Sequence, residues 1–141
     1  MLIMHIKDVL LVDDEPVFLS ALAEGLKSLT GKRCNVITAR NGKEAIDILK
    51  TVMVDVVVTD LHMPVMNGLE LAEHLKMRYP DIAVIVASAF MDANIELALR
   101  SLLVDHLADK PLDLRELTHT IMAVKAHSSM AVRPLGNEMR G

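Results

Sequence analysis

The segment VVVTDLHMPVMNG, residues 56–68, runs from an apolar strand directly into an acidic residue, Asp60. Its valines and threonine favour a buried strand. The segment VLLVDD, residues 9–14, repeats this arrangement and ends in Asp13 and Asp14. Two carboxylates about 5 Å apart repel by roughly 3 kcal/mol at an effective dielectric constant near 20. Two strands that both end in acid therefore require a chemical explanation.

The composition is that of one folded domain. The chain has 141 residues, of which 52% are hydrophobic and 24% charged, and this excludes a largely disordered chain. The formal net charge is -4 and no basic block occurs, which argues against nucleic-acid binding by this chain alone. The single cysteine, Cys34, excludes a disulfide framework and is expected to be a small buried residue.

No targeting or membrane signal stands out in the chain. The N-terminus lacks the pattern of a signal peptide, and no apolar run approaches the roughly 20 residues that a membrane span needs. We therefore expect a cytoplasmic protein without a membrane partner.

Short apolar runs alternate with segments of helical spacing along the chain. Several runs are nearly continuous Val, Ile and Leu, which is typical of strands covered on both faces. In the first helical segment Phe18, Leu22, Leu26 and Leu29 share one face. Five strands alternating with five helices predict an α/β fold with a parallel sheet and helices on both faces. The predicted strands are residues 8–12, 34–38, 54–59, 82–87 and 104–108.

The helical and strand periodicity ends before the C-terminus. The segment SSMAVRPLGNEMRG, residues 128–141, lacks it and contains Pro134 and two glycines. We predict one domain over residues 1–127 and a tail, or the start of a linker, over residues 128–141.

The polar residues that end the predicted strands should meet at one edge of the sheet. Ligands of open parallel sheets bind at the carboxyl ends of the strands. The three acids would meet Ser88 and Lys110 there, since these residues end or follow the fourth and fifth strands. An oxygen-seeking divalent ion such as Mg²⁺ would relieve the clustered charge, and Lys110 would add a fixed cation. This is an arrangement suited to forming an aspartyl phosphate.

Four motifs carry a resemblance to a known family: LLVDDEP, VVVTDLHMPVMNG, VIVASAF and LADKPLD. In this order and spacing they resemble the receiver domain of bacterial two-component response regulators, over roughly residues 7–125. The resemblance implies a flavodoxin-like, doubly wound fold. Its five-stranded parallel sheet would have the strand order 2-1-3-4-5, and five helices would cover it.

The resemblance also implies roles for the acidic residues. Asp60 would be the phosphoacceptor. Asp13 and Asp14 would hold Mg²⁺ together with Asp60, and the backbone carbonyl of His62, not its side chain, would complete the protein ligands.

Further roles follow for the residues around the acids. Ser88 would be the switch hydroxyl that turns toward the phosphoryl group, and Lys110 would pair with a phosphoryl oxygen. The bond from Lys110 to Pro111 would be cis. Gly68 would suit a tight turn into the third helix, where a positive φ favours glycine.

Two positions depart from the family pattern. The family commonly has an aromatic residue three positions before the lysine, where this chain has Leu107. Just upstream, Leu103 and Val104 replace the usual pair of small residues, glycine and alanine. The phosphoacceptor site is therefore expected to be intact, and the relay to the output surface altered.

The function implied is that of a phosphoacceptor in two-component or phosphorelay signal transduction, not an enzyme with an external substrate. A histidine kinase or a phosphotransfer protein would phosphorylate Asp60, and small phosphodonors and water would also react there. The phosphoryl group would favour one arrangement of the surface formed by the fourth helix, fifth strand and fifth helix, where a downstream protein would bind.

Several alternatives stay open at this point. One alternative is a receiver cut from a longer regulator. Another is a pseudo-receiver that serves as a binding module, which the complete acid set argues against and which Leu107 leaves open. A phosphatase is disfavoured, because haloacid-dehalogenase-like enzymes place a second acid where this chain has His62. Taken singly, Asp14 could cap the first helix, and Ser88 could be a small packing residue.

Overall fold

Five parallel strands form the centre of the computed structural model, which describes residues 6–124. The strand order is β2-β1-β3-β4-β5, and each neighbouring pair is parallel. This confirms the α/β class, the parallel sheet and the order implied by the resemblance. The strands are β1 (Lys7–Val12), β2 (Cys34–Ala39), β3 (Val56–Asp60), β4 (Ala83–Ser88) and β5 (His106–Asp109).

Within residues 6–124, five α-helices connect or follow these strands. Four of them begin at an Asn or Asp whose side chain accepts a hydrogen bond from a backbone N–H in the first turn, as favoured N-cap residues do. The first helix instead has proline at its start and ends at Gly31, which has a φ of 60°. The helices are α1 (Pro16–Thr30), α2 (Gly42–Leu49), α3 (Gly68–Arg78), α4 (Ala93–Ser101) and α5 (Leu114–Ala123).

The helices cover both faces of the sheet and create two apolar layers. Val9 and Leu11 of β1 pack under α1 and α5, whereas Leu10 and Val12 pack under α2, α3 and α4. Every residue of β3 and β4 is buried, as the near-continuous apolar runs predict. Cys34 is buried in β2, as expected.

Lys7 joins the start of β1 to the end of α5. Its ammonium donates hydrogen bonds to the carbonyl oxygens of Ile121 (3.0 Å), Met122 (3.1 Å) and Val124. These carbonyls lie at the helix C-terminus, where a cation satisfies both the unpaired acceptors and the helix dipole. Burial lowers the pKa of Lys7, and the nearby charges of Asp55 and Cys34 oppose that shift.

The predicted domain boundary at residue 127 and the predicted tail over residues 128–141 lie outside the described residues. Among the helices within residues 6–124, none has the length and apolar character that crossing a membrane requires.

Candidate functional site

The carboxyl ends of the strands bring the predicted site residues to one edge of the sheet. Asp60 is the last residue of β3, and Ser88 is the last residue of β4. Asp13 and Asp14 follow β1 directly, and Lys110 follows β5. The convergence expected from a parallel sheet is therefore present.

Three carboxylates form a tight cluster at this edge. One carboxylate oxygen from each of Asp13, Asp14 and Asp60 lies within 4.8 Å of the others. Asp13 is 4% and Asp60 9% exposed, whereas Asp14 is open to solvent. Asp13 is held in place because its Oδ1 accepts a hydrogen bond of 2.9 Å from the backbone N–H of Glu15. The cluster offers only oxygen ligands, partly buried and partly accessible, which suits a hard divalent cation.

Lys110 supplies the positive charge of the site. Its Nζ lies 2.9 Å from Oδ1 of Asp60 and 3.1 Å from Oδ2 of Asp13. Burial by itself lowers the pKa of Lys110, but its hydrogen bonds and charge interactions with Asp60 and Asp13 outweigh this and raise the pKa overall. The ammonium therefore stays charged at neutral pH and bridges two of the three acids.

The charged form of Asp60 remains electrostatically disfavoured in spite of the contact with Lys110. Burial raises its pKa, the hydrogen bond and charge of Lys110 oppose the shift, and the charges of Asp13 and Asp14 add to it. One lysine does not compensate three carboxylates, so the site favours additional positive charge.

The ring of Phe18 lies beside the same ammonium, with Nζ of Lys110 4.9 Å from the ring centroid. The sequence pattern identified Phe18 only as one of the apolar residues of the first helix. Because Phe18 and Lys110 are far apart in the chain, only the fold could bring them together.

The hydroxyl of Ser88 is engaged with Phe90. Oγ donates to the carbonyl oxygen of Phe90 and accepts a 3.1 Å hydrogen bond from its N–H. The ring of His62 reaches the same carbonyl, with Nε2 3.0 Å from the oxygen. Because a carbonyl only accepts, Nε2 carries the hydrogen in this contact. The loops that follow β3 and β4 are therefore connected by a side chain for which the sequence predicted a backbone role alone.

Gly68 is required for a different reason from the one expected. The prediction of a positive φ is wrong, because the glycine with positive φ within residues 6–124 is Gly31. A Cβ on Gly68 would lie 2.4 Å from the carbonyl oxygen of Asp60 and 2.8 Å from Cα of Leu61. The N-terminus of α3 thus packs directly against the backbone of the candidate phosphoacceptor, and only glycine leaves room for it.

The region around β5 combines an expected feature with a strained one. The peptide bond from Lys110 to Pro111 is cis, as expected. Leu107 pairs with Val86 of β4 and is half-buried against the layer under α4. Leu103 has a φ of 62°, a conformation that favours glycine, so the replacement noted in the sequence coincides with backbone strain.

The alternative roles of Asp14 as a helix cap and of Ser88 as a small packing residue do not match the geometry. The N-cap residue of α1 is Glu15, which makes no side-chain capping bond, so capping is not the role of Asp14. Ser88 is not merely a small packing residue, since its hydroxyl makes two hydrogen bonds.

Comparison with known proteins identifies the family. A family model of the response regulator receiver domain matches residues 9–122. The chain is 36% identical over 118 residues to "Regulator of RpoS" from Escherichia coli (strain K12), covering 83% of this chain and 34% of that protein. It is 32% identical over 130 residues to "Transcriptional regulatory protein ZraR" from Klebsiella oxytoca, covering 91% of this chain and 28% of that protein. The chain thus spans about a third of the length of these relatives or less.

Solved structures agree with this assignment. The crystal structure of a response regulator receiver protein from Pseudomonas putida has a TM-score of 0.78 and 27% identity, covering 85% of this chain and 98% of that one. The signal receiver domain of an HD domain-containing protein from Pseudomonas fluorescens Pf-5 has a TM-score of 0.77 and 25% identity, covering 84% and 93% respectively. The chain therefore belongs to the response regulator receiver domain family.

Proposed function

We propose that this receiver domain is a phosphoacceptor in two-component signal transduction and that Asp60 takes the phosphoryl group. One observation carries the proposal above the others. The partly buried carboxylate of Asp60 has an oxygen within 4.8 Å of oxygens of Asp13 and Asp14, and Nζ of Lys110 lies 2.9 Å from its Oδ1. A nucleophilic carboxylate beside a fixed cation and two further oxygen donors has what transfer of a phosphoryl group requires.

The reaction would be a displacement at phosphorus. A carboxylate oxygen of Asp60 attacks the phosphorus of a phosphohistidine on a histidine kinase or a phosphotransfer protein. The bond from phosphorus to the imidazole nitrogen breaks, and the nitrogen keeps the electron pair as the imidazole leaves. Negative charge on the transferred oxygens is stabilised by Lys110, whose ammonium is already held at Asp60.

The donor set fits Mg²⁺. Asp13, Asp14 and Asp60 present carboxylate oxygens close together, and the backbone carbonyl of His62 follows Asp60 by two residues. When bound, Mg²⁺ would neutralise charge on the acids and on the phosphoryl oxygens. The backbone N–H of Glu15 orients the carboxylate of Asp13, which supports this fit.

The output would depend on Ser88. Turning toward a phosphoryl group on Asp60 requires its hydroxyl to leave the carbonyl of Phe90, which His62 can still satisfy. This rearrangement would shift the surface of α4, β5 and α5 toward a form that binds a downstream protein or an output domain. A shift from 1:99 to 99:1 requires about 5.5 kcal/mol of differential interaction. Leu107 lacks an aromatic ring, and we therefore propose a smaller shift.

We propose that the protein is not an enzyme with an external substrate and that it lies in the cytoplasm. Small phosphodonors would phosphorylate Asp60 without a kinase, and water would remove the group. A pseudo-receiver is disfavoured by the complete set of three acids and Lys110.

Intact mass spectrometry after incubation with acetyl phosphate tests the proposal. Wild type with Mg²⁺ should gain one phosphoryl adduct, and wild type with EDTA should not. Asp60→Asn should remain unmodified, whereas Asp81→Asn, which changes an acid outside the cluster, should behave as wild type. Modification of Asp60→Asn at the wild-type rate would refute Asp60 as the acceptor. Absence of any adduct in folded wild type would favour the pseudo-receiver.

A further inference from the structure

Besides two carboxylates, the ammonium of Lys110 has an aromatic neighbour. Two carboxylate oxygens lie within 3.1 Å of Nζ, and the ring centroid of Phe18 lies 4.9 Å from it. Phe18 is half-buried near the start of α1, and α1 is anchored on the sheet by buried Leu19. The backbone at Phe18 is therefore held against the sheet, and its half-buried ring lies beside the lysine.

An aromatic ring attracts an ammonium at this distance. The electrons of the ring face attract a cation within about 6 Å of the centroid, most strongly for Trp and less strongly for Tyr and Phe. A leucine or methionine of similar size lacks this attraction. The lysine side chain is a flexible four-carbon stem with freely rotating donors, so a fixed neighbour restricts where its ammonium lies.

The surroundings of Phe18 also limit access of water. Phe18, Leu22 and Leu112 line a small hollow together with Asp60 and Lys110. An apolar wall on one side of an ion pair reduces solvent screening of that pair. Loss of the ring would thus weaken the ion pair of Lys110 and Asp60 as well as free the ammonium.

We propose that Phe18 is a positioning residue whose ring holds the ammonium of Lys110 at Asp60 and thereby sets the rate at which Asp60 accepts a phosphoryl group. This inference rests on the proposed phosphoacceptor function. A cation already placed where charge develops requires no reorganisation during transfer, so its displacement slows the reaction.

A series of substitutions at Phe18 separates ring electrons from packing. Phe18→Tyr and Phe18→Trp keep an aromatic face, whereas Phe18→Met and Phe18→Leu keep only apolar volume. Leu29→Met is the matched control, because it changes the apolar packing of α1 away from the site. Circular dichroism and thermal melting identify any variant that does not fold.

The direct readout is the reactivity of Lys110. Trace labelling of amines with acetic anhydride, followed by peptide mass spectrometry, compares Lys110 with the exposed Lys32 in the same chain. Phe18→Met and Phe18→Leu should raise the relative labelling of Lys110 about two- to fivefold, the range expected for one cation–π contact. Phe18→Tyr should match wild type, and Phe18→Trp should label equally or more slowly. Leu29→Met should not change the ratio.

The rate of adduct formation with acetyl phosphate and Mg²⁺ is the second readout. It should fall about two- to fivefold in the Met and Leu variants and recover in the Tyr variant. Equal labelling across the whole series, or a Tyr variant as altered as the Met variant, would overturn the proposal. If wild type takes no phosphoryl group, the proposed function fails. The labelling ratio would still decide whether the ring holds Lys110.

Discussion

Asp60→Asn should make the unphosphorylated protein more stable. The substitution removes two repulsions, because the oxygens of Asp13 and Asp14 lie within 4.8 Å of Asp60. At that separation each repulsion amounts to about 3.5 kcal/mol at an effective dielectric constant near 20. The substitution also removes the ion pair with Lys110, which at 2.9 Å amounts to about 6 kcal/mol on the same scale.

The two repulsions removed and the ion pair lost nearly cancel, so the burial of Asp60 decides whether the substitution stabilises or destabilises the protein. Asp14 is exposed, and solvent screens its share of the repulsion. Burial of Asp60 acts in the same direction as the repulsion and raises the pKa of its carboxyl. An uncharged asparagine avoids both effects, and Lys110 keeps Asp13 as a partner. We expect the free energy of unfolding to rise by about 1 kcal/mol, or about 3–5 °C in Tm.

The pH dependence provides an internal check. Because the folded-state pKa of Asp60 lies above its unfolded value, the folded chain binds more protons between the two values. The stability that wild type derives from this group is present at low pH and is lost as pH rises through the folded-state pKa. The advantage of Asp60→Asn should therefore be largest at neutral pH and disappear in acid.

Urea denaturation of both proteins in EDTA, over a series of pH values, measures this difference. Added Mg²⁺ should narrow the difference in unfolding free energy between the two proteins, since an ion that binds folded wild type more tightly than folded Asp60→Asn stabilises wild type more. An Asp60→Asn protein less stable than wild type at neutral pH in EDTA would refute the reasoning. It would mean that the ion pair with Lys110 outweighs burial and repulsion together.

Three further predictions concern the stability of the fold. Leu103→Gly should stabilise the protein by about 1 kcal/mol, because Leu103 is 75% exposed and has a φ of 62°. Thermal melting measures this change. The control Leu97→Gly, at an exposed position inside α4, should destabilise the protein by a similar amount in the same assay. Gly68→Ala should destabilise the folded protein by more than about 2 kcal/mol and slow adduct formation with acetyl phosphate, since the Cβ of the alanine would lie 2.4 Å from the carbonyl oxygen of Asp60. A variant with wild-type stability and a wild-type rate would contradict this. Lys7→Met should cost about 1–3 kcal/mol in urea denaturation, because carbonyls at the end of α5 lose their donor, and an unchanged midpoint would show that water replaces the ammonium.

The sequence alone predicted the α/β architecture and which residues gather at the candidate site. Apolar runs of strand length and helical spacing are local properties, so their alternation is enough to predict a parallel sheet. The carboxyl ends of parallel strands meet at one edge, which placed Asp60 beside Asp13 and Asp14. Strand ends were predicted less precisely: the strand predicted over residues 54–59 is Val56–Asp60 in the structure.

Tertiary structure decided which further side chains surround the candidate site and how they contact one another. Gly68 was singled out for a backbone conformation, but the close approach of α3 to Asp60 is what requires it. The contact of His62 with Phe90 joins two loops that are separate in the chain. The contact of Phe18 with Lys110 links the first helix to the end of the last strand. Such contacts depend on how helices pack on the sheet and on side-chain directions, and neither is encoded in the local periodicity of the chain.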